Sequence, residues 1–334
     1  MKVATYQDHG SPEALHVADW PEPDLPSGEV MVRVEAVALN GFDPMMLAGS
    51  TGLKVPMPMV PCGDFAGRVC ALGSQVDTPL KVGDPVTGFP MVPDRGMLGE
   101  VTLGAARELI NMPPDCLIPI PDGVTMTDAA ALPVAYGTAL RMMETRGKIS
   151  RDERVLVLGA TGGVGVACIQ LAKAAGAFVV ACGRGSKAAG LTAVGADDVI
   201  DTAQDDFFIA ARERYGKPSY DGSGDGGFDV VVNYIGGDTW APSLKLLRRH
   251  GRALVCGATA GFKPETDLRY LWSFEQHLIG SNGWTPEDQQ ELLRRVAAGT
   301  LTPVVHQIRP IEKISDAFQE LIDREVFGKS VLTL

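Results

Sequence analysis

Arg154-Val155-Leu156-Val157-Leu158-Gly159-Ala160-Thr161-Gly162-Gly163-Val164-Gly165, continuing into Val166-Ala167-Cys168-Ile169-Gln170-Leu171-Ala172-Lys173, is the stretch on which the reading of this chain turns. The apolar run before Gly159 predicts a strand buried on both faces, and the residues after the glycines place apolar side chains at helical spacing. Strand, tight turn and helix follow one another. Glycine suits such a turn because a Cβ would obstruct the reversal, the packing of helix on strand and the approach of a pyrophosphate to the backbone. The unpaired N–H groups and positive dipole end of the new helix then face the phosphates. Thr161, Gly162, Gly163 and Val164 are the dinucleotide contacts this reading selects.

The spacing Gly159-x-x-Gly162-x-x-Gly165 departs from the usual G-x-G-x-x-G, and the alternative is a purely structural turn. Context favours the nucleotide site. A second apolar run, Phe178-Val179-Val180-Ala181-Cys182, leads through a polar turn to Leu191-Thr192-Ala193-Val194-Gly195-Ala196-Asp197. Further strands are expected at Val199-Ile200-Asp201 and Phe228-Asp229-Val230-Val231-Val232-Asn233. This alternation of strand and helix predicts an α/β fold with a doubly wound parallel sheet.

At 334 residues the chain has room for two domains, each with its own core. No apolar stretch reaches the length of a membrane span, and Met1-Lys2-Val3-Ala4-Thr5-Tyr6 begins a strand instead of a signal sequence, so a cytoplasmic protein with no membrane partner is expected. A net charge of -11 argues against nucleic acid as a partner, which would draw on a basic surface, but not against small anions held in a local positive pocket. The six cysteines are scattered without a C-x-x-C pair, and several lie inside apolar runs, which fits buried free thiols in a reducing compartment.

Residues 1–122 read as β-rich: Val30-Met31-Val32-Arg33-Val34-Glu35-Ala36-Val37 alternates apolar and polar, and Gly67-Arg68-Val69-Cys70-Ala71-Leu72-Gly73 is a short strand closed by glycine. Turns such as Val82-Gly83-Asp84-Pro85 punctuate them, suggesting a partly closed barrel. Near Gly123 the period becomes helical, which sets a boundary, and 123–299 form the cofactor domain. The remainder, 300–334, returns to the β-rich style and is expected to complete the first domain.

With the barrel-like start, Gly63-Asp64-Phe65-Ala66-Gly67, Val82-Gly83-Asp84-Pro85-Val86, the Gly159–Gly165 turn and Gly195-Ala196-Asp197 in this order, the whole chain resembles the medium-chain dehydrogenase/reductase superfamily, most of all its quinone oxidoreductase and enoyl reductase branch. The resemblance implies a GroES-like catalytic domain, a Rossmann cofactor domain and a substrate cleft between them. Gly41 and Gly63 stand where two ligands of a catalytic zinc would be in the zinc alcohol dehydrogenases, and the four-cysteine structural-zinc lobe is missing, so no metal is expected. Without a metal to polarise a carbonyl, hydride chemistry suits an acceptor that is already activated, such as a quinone or an α,β-unsaturated carbonyl.

The strand that sets cofactor choice ends Ala181-Cys182-Gly183-Arg184-Gly185-Ser186-Lys187, with no acid to hold a ribose 2′-hydroxyl. Gly183, Arg184, Ser186 and Lys187 are candidates to hold a 2′-phosphate, which favours NADP(H). The alternative is a solvated basic helix start. Asn233 and Ile235, and Gly257 and Ala258, follow later strands and by position edge the cofactor cleft; the alternative for each is a tight turn. By resemblance, Thr138 lies near the cofactor, and Ser281 and Asn282 beside the nicotinamide.

For catalysis the resemblance points to Asn40 and Asp43, which match the branch's N-x-x-D pattern, and to Tyr136. The alternative for Asn40 and Asp43 is that they cap a turn or helix. The Tyr that assists many enoyl reductases of this branch is missing: Gly49 is followed by Ser50-Thr51. Water or the substrate's own polarisation then supplies what a dedicated acid would. Asp267-Leu268-Arg269-Tyr270-Leu271-Trp272 is similar to a region of crotonyl-CoA and acryloyl-CoA reductases, which makes a short enoyl-CoA thioester a second substrate reading. A nucleotide-binding protein without catalysis is a third. The family also implies a homodimer acting on a small-molecule substrate.

Overall fold

The computed structural model describes residues 1–334, which divide into two compact units. The first comprises Met1–Gly137 and Thr285–Leu334. Its main sheet runs in the order Val305–Pro310, Lys329–Thr333, Val30–Ala38, Asp64–Leu72, Pro85–Gly88, Leu117–Pro119, with Leu109–Met112 also pairing with Val30–Ala38. The long strand Val30–Ala38 alternates as its sequence requires: Val30, Val32 and Val34 enter the core while Arg33 faces solvent. The closing strand is antiparallel to it, with Val331 opposite Ala38 and Thr333 opposite Ala36, so the end of the chain is built into the first unit's sheet.

The boundaries differ from those expected at 122/123 and 299/300. The first unit continues to Gly137 and resumes at Thr285 because the helical segments just after residue 122 and just before residue 299 are tied into its sheet. Ala129–Ala131 of the helix Met126–Ala131 are buried, and the Val134 N–H donates to Asp64 Oδ1 at 3.1 Å. In the helix Pro286–Ala297, buried Gln289 donates from Nε2 to the Gly88 carbonyl at 3.1 Å.

The second unit, Thr138–Trp284, holds a sheet of six strands that are parallel throughout. Their order is Asp198–Asp201, Phe178–Gly183, Arg154–Val157, Phe228–Val232, Leu247–Val255, His277–Gly280. Written in order of appearance this is 3-2-1-4-5-6, so the sheet reverses direction between Arg154–Val157 and Phe228–Val232. Val155, Leu156 and Val157 are fully buried, as a strand covered on both faces demands. No helix is long and apolar enough to cross a membrane, and all six cysteines are free.

Candidate functional site

Open parallel sheets bind ligands beyond the carboxyl ends of their strands where the strand order reverses. In the second unit that point is occupied by the glycine turn. Gly159 takes φ +70°, a conformation L side chains rarely adopt. A Cβ on Gly165 would come within 2.4 Å of the Gly159 carbonyl oxygen, so only glycine lets the helix pack this closely on the turn. Around Gly162, by contrast, a Cβ would meet nothing nearer than 3.8 Å. Gly162 is the N-cap of the helix Gly163–Ala174 and supplies no side-chain cap, which leaves the first-turn amides of Gly163 and Val164 without that partner. The geometry fits a pyrophosphate approaching bare backbone at a helix dipole.

Two loops from neighbouring strands shape the same edge. The Tyr234 hydroxyl donates to the Gly159 carbonyl at 2.6 Å and pins the turn from below. This contact was not expected from the sequence, where Tyr234 stands unmarked between two candidates. Asn233 proves to be internal scaffolding: its Nδ2 donates to Ser243 Oγ at 2.9 Å and Thr239 Oγ1 at 3.1 Å, while its Oδ1 accepts from the Ile235 and Gly236 amides. Its side chain is used up in forming the loop, and the tight-turn reading fits it. Ile235 accepts from the Ala260 N–H at 2.7 Å, which joins this loop to the one carrying Gly257 and Ala258. A Cβ on Gly236 would lie 2.9 Å from the Ala258 Cβ. Ser281 follows the last strand, nearly buried, with an Oγ that has no hydrogen-bond partner. Such an orphaned hydroxyl suits a polar ligand group. Asn282 follows it, and Thr138 lies half-buried on the helix Pro133–Leu140.

At the second strand's end, Gly183 has the Thr161 side chain against it: a Cβ there would come within 2.8 Å of Thr161 Cγ2. Arg184 precedes a single 3-10 turn, Gly185–Lys187, which carries Ser186 and Lys187. The expectation that no acid stands here holds for the strand itself but not in space. Asp201, ending the adjacent strand, accepts the Gly185 N–H at 2.7 Å.

The first unit gathers a second set of groups. Asn40, Asp43, Asp64 and Lys329 are all buried. Lys329 Nζ donates to Asp64 Oδ2 at 3.1 Å and to Asn40 Oδ1; Asn40 Nδ2 donates to Asp64 Oδ2 at 2.9 Å. The Asn40 N–H donates to Asp43 Oδ2 at 2.6 Å, and the Asp43 N–H returns to the Asn40 carbonyl at 3.1 Å. Asn40 and Asp43 thus close a turn, as the alternative reading held, and Asn40 is also the hub joining both carboxylates to one ammonium. Asp43 Oδ1 is buried with no hydrogen-bond partner. Burial pushes the Asp43 carboxyl up to about 7, against the Asn40 amide and the Lys329 charge, which favour its ionised form. Burial likewise raises Asp64 despite Lys329. Cys62, fully buried beside this cluster, takes φ +67°.

Lys329 escaped the sequence reading, although a lysine heading the apolar run Val331-Leu332 is a signal in itself, since lysine is almost never fully buried unless paired. Tyr136, a catalytic candidate by resemblance, lies in the same unit. Its ring is fully buried and its hydroxyl oxygen accepts the Val304 N–H at 2.9 Å, which makes it a tie within the first unit's fold. The zinc implied by the wider fold family does not fit these residues. Both Asp64 oxygens are engaged by Val134, Asn40 and Lys329, and no three His, Cys, Asp or Glu side chains converge as a metal would require.

Comparison with known proteins agrees with this architecture. Residues 26–122 match the family described as "Alcohol dehydrogenase GroES-like domain", and residues 163–298 match "Zinc-binding dehydrogenase". The quinone oxidoreductase of Mus musculus is 27% identical over 343 residues, covering 100% of this chain and 98% of its own. The crotonyl-CoA reductase of Streptomyces avermitilis is 26% identical, over 93% of this chain and 80% of its own. A crystal structure described as an NAD-dependent alcohol dehydrogenase superposes with a TM-score of 0.90 at 31% identity, covering 100% of both chains. The chain belongs to the medium-chain dehydrogenase/reductase superfamily, in its quinone oxidoreductase branch, and is an oxidoreductase.

Proposed function

We propose that this protein is an NADPH-dependent, zinc-independent reductase of quinones or activated C=C bonds. The observation that carries the reading is the Gly159–Gly165 turn at the reversal of the sheet, with open space at Gly162 and uncapped amides behind it. Bound there, a reduced nicotinamide supplies a hydride equivalent. The protein's part is to fix its phosphates on the amides of Gly163 and Val164, to meet a 2′-phosphate with Arg184 and Ser186, and to offer Ser281 Oγ as a polar contact. In the first unit, the cation facing the carboxylates is the Lys329 ammonium, which is not a Lewis acid that can polarise a substrate carbonyl as a metal does. This reading fits an acceptor that is electrophilic by itself, with water as the proton source. A short enoyl-CoA is the second acceptor reading, supported by the Streptomyces avermitilis relative. Arg269, a candidate for CoA phosphates, is folded onto Asp267 at 2.7 and 2.9 Å and would have to leave it.

We also propose a homodimer. The strand His277–Gly280 pairs on one side only, and Leu278, Leu268 and Trp272 on and beside it are exposed at 42%, 60% and 66%. The six free cysteines support a reducing, cytoplasmic location.

The test is to follow NADPH oxidation with a simple quinone and with a short enoyl-CoA as acceptors. Turnover of either supports a reductase and the faster one names the acceptor. NADPH binding without oxidation by any acceptor in a broad panel establishes a nucleotide-binding protein instead.

A further inference from the structure

Asp201 ends the strand Asp198–Asp201, which pairs in parallel with Phe178–Gly183 so that Gly183 lies directly opposite it. Its Oδ1 accepts two amides, from Gly185 at 2.7 Å and from Ala203 at 3.0 Å. The Gly185 amide opens the 3-10 turn, and Arg184 at its N-cap provides no side-chain cap of its own. The acceptor that terminates this turn thus comes from the neighbouring strand, sixteen residues on in sequence.

Gly185 makes the arrangement possible. A Cβ there would lie 2.2 Å from Asp201 Oδ2 and 2.8 Å from its Cγ, closer than atoms can approach. Gly185 is not among the positive-φ glycines, so its backbone alone would accept a side chain; what such a side chain would push off the turn is the carboxylate. The two residues form one device, a carboxylate seated against the bare Cα of the turn it holds.

We propose that Asp201 is a positioning residue for cofactor choice: by seating on Gly185 it holds the Arg184–Lys187 turn in the shape that presents Arg184 and Ser186 to the 2′-phosphate of NADPH. This rests on the nucleotide site proposed above. The carboxylate acts through the turn it holds and makes no contact with the phosphate. Its loss should therefore fall on the cofactor that uses the turn and spare the one without the extra phosphate. Asparagine keeps an oxygen able to accept both amides, whereas alanine keeps none.

The experiment is calorimetric titration of NADPH and NADH into the full-length protein and its variants, with thermal melts to confirm that each is folded. Asp201→Ala should weaken NADPH about tenfold and NADH less than about twofold, and Asp201→Asn should restore NADPH binding to within about twofold of the parent. Gly185→Ala should reproduce the Asp201→Ala loss, and adding it to Asp201→Ala should cost nothing more, because the atoms it strikes are gone. Parallel weakening of both cofactors, failure of Asp201→Asn to restore NADPH binding, or full additivity of the Gly185 and Asp201 losses would overturn the inference while leaving an NADPH-preferring parent intact. A parent that prefers NADH overturns the phosphate assignment, and the inference with it.

Discussion

Lys329 Nζ lies 3.1 Å from Asp64 Oδ2, and the two side chains are 2% and 0% exposed. Removing one member of a buried ion pair leaves the other charge without compensation, at a cost of about 3–5 kcal/mol. Lys329→Met should therefore lower the melting temperature strongly. Lys329→Met combined with Asp64→Asn should recover much of the loss, because no lone carboxylate remains at Asp64. If the double variant is as unstable as the sum of the singles, the pair is not the source of the effect.

Asp43 gives the first unit a pH dependence of definite sign. Its carboxyl is raised from 3.8 to about 7, so the folded state holds a proton that the unfolded state has released. Stability should fall as pH rises between those values and level off above them. Asp43→Asn, which is neutral throughout, should flatten that fall and melt higher than the parent at mildly alkaline pH. Denaturant midpoints measured across this range check it, and a parent and variant with parallel profiles would assign the dependence elsewhere.

The parts of the molecule that local sequence encodes are legible in the sequence itself. Val155–Val157 reads as buried because every residue in it is apolar, and Gly159 and Gly165 read as a turn because glycine alone tolerates their geometry. The polar cluster was only half legible. Asn40 and Asp43 are three residues apart, but Lys329 reaches Asp64 across 265 residues, a separation no periodicity reports. Asp201 was missed for the same reason. No acid stands on the strand that carries Gly183; the acid arrives from the next. Tyr136 and Asn233 look reactive or ligand-facing by residue type, yet the Tyr136 hydroxyl accepts the Val304 amide and the Asn233 side chain bonds Ser243 and the Gly236 amide. Satisfaction of hydrogen bonds is a property of the fold that residue type does not reveal.

Arg184 should discriminate between the cofactors directly. A charge-assisted contact to phosphate is worth about 1.5–3 kcal/mol, so Arg184→Ala should weaken NADPH by at least about tenfold. NADH, which has no group for it, should bind about as before. Equal weakening of both, measured by calorimetry, would remove the phosphate assignment.

Leu278 should report on assembly. It sits on the open edge strand, where a charged side chain opposes pairing with a second copy. Light scattering should find a dimer for the parent and a folded monomer for Leu278→Glu. A monomeric parent would contradict the proposed homodimer.

Reduced nicotinamide held on the Gly159–Gly165 turn should reduce an activated acceptor without a metal. The most direct measurement is the rate of NADPH oxidation by a quinone or short enoyl-CoA in protein exhaustively treated with chelator and checked by elemental analysis. The rate should be undiminished at far less than one zinc per chain, with no gain on adding zinc. Loss of activity on chelation that stoichiometric zinc restores would contradict it.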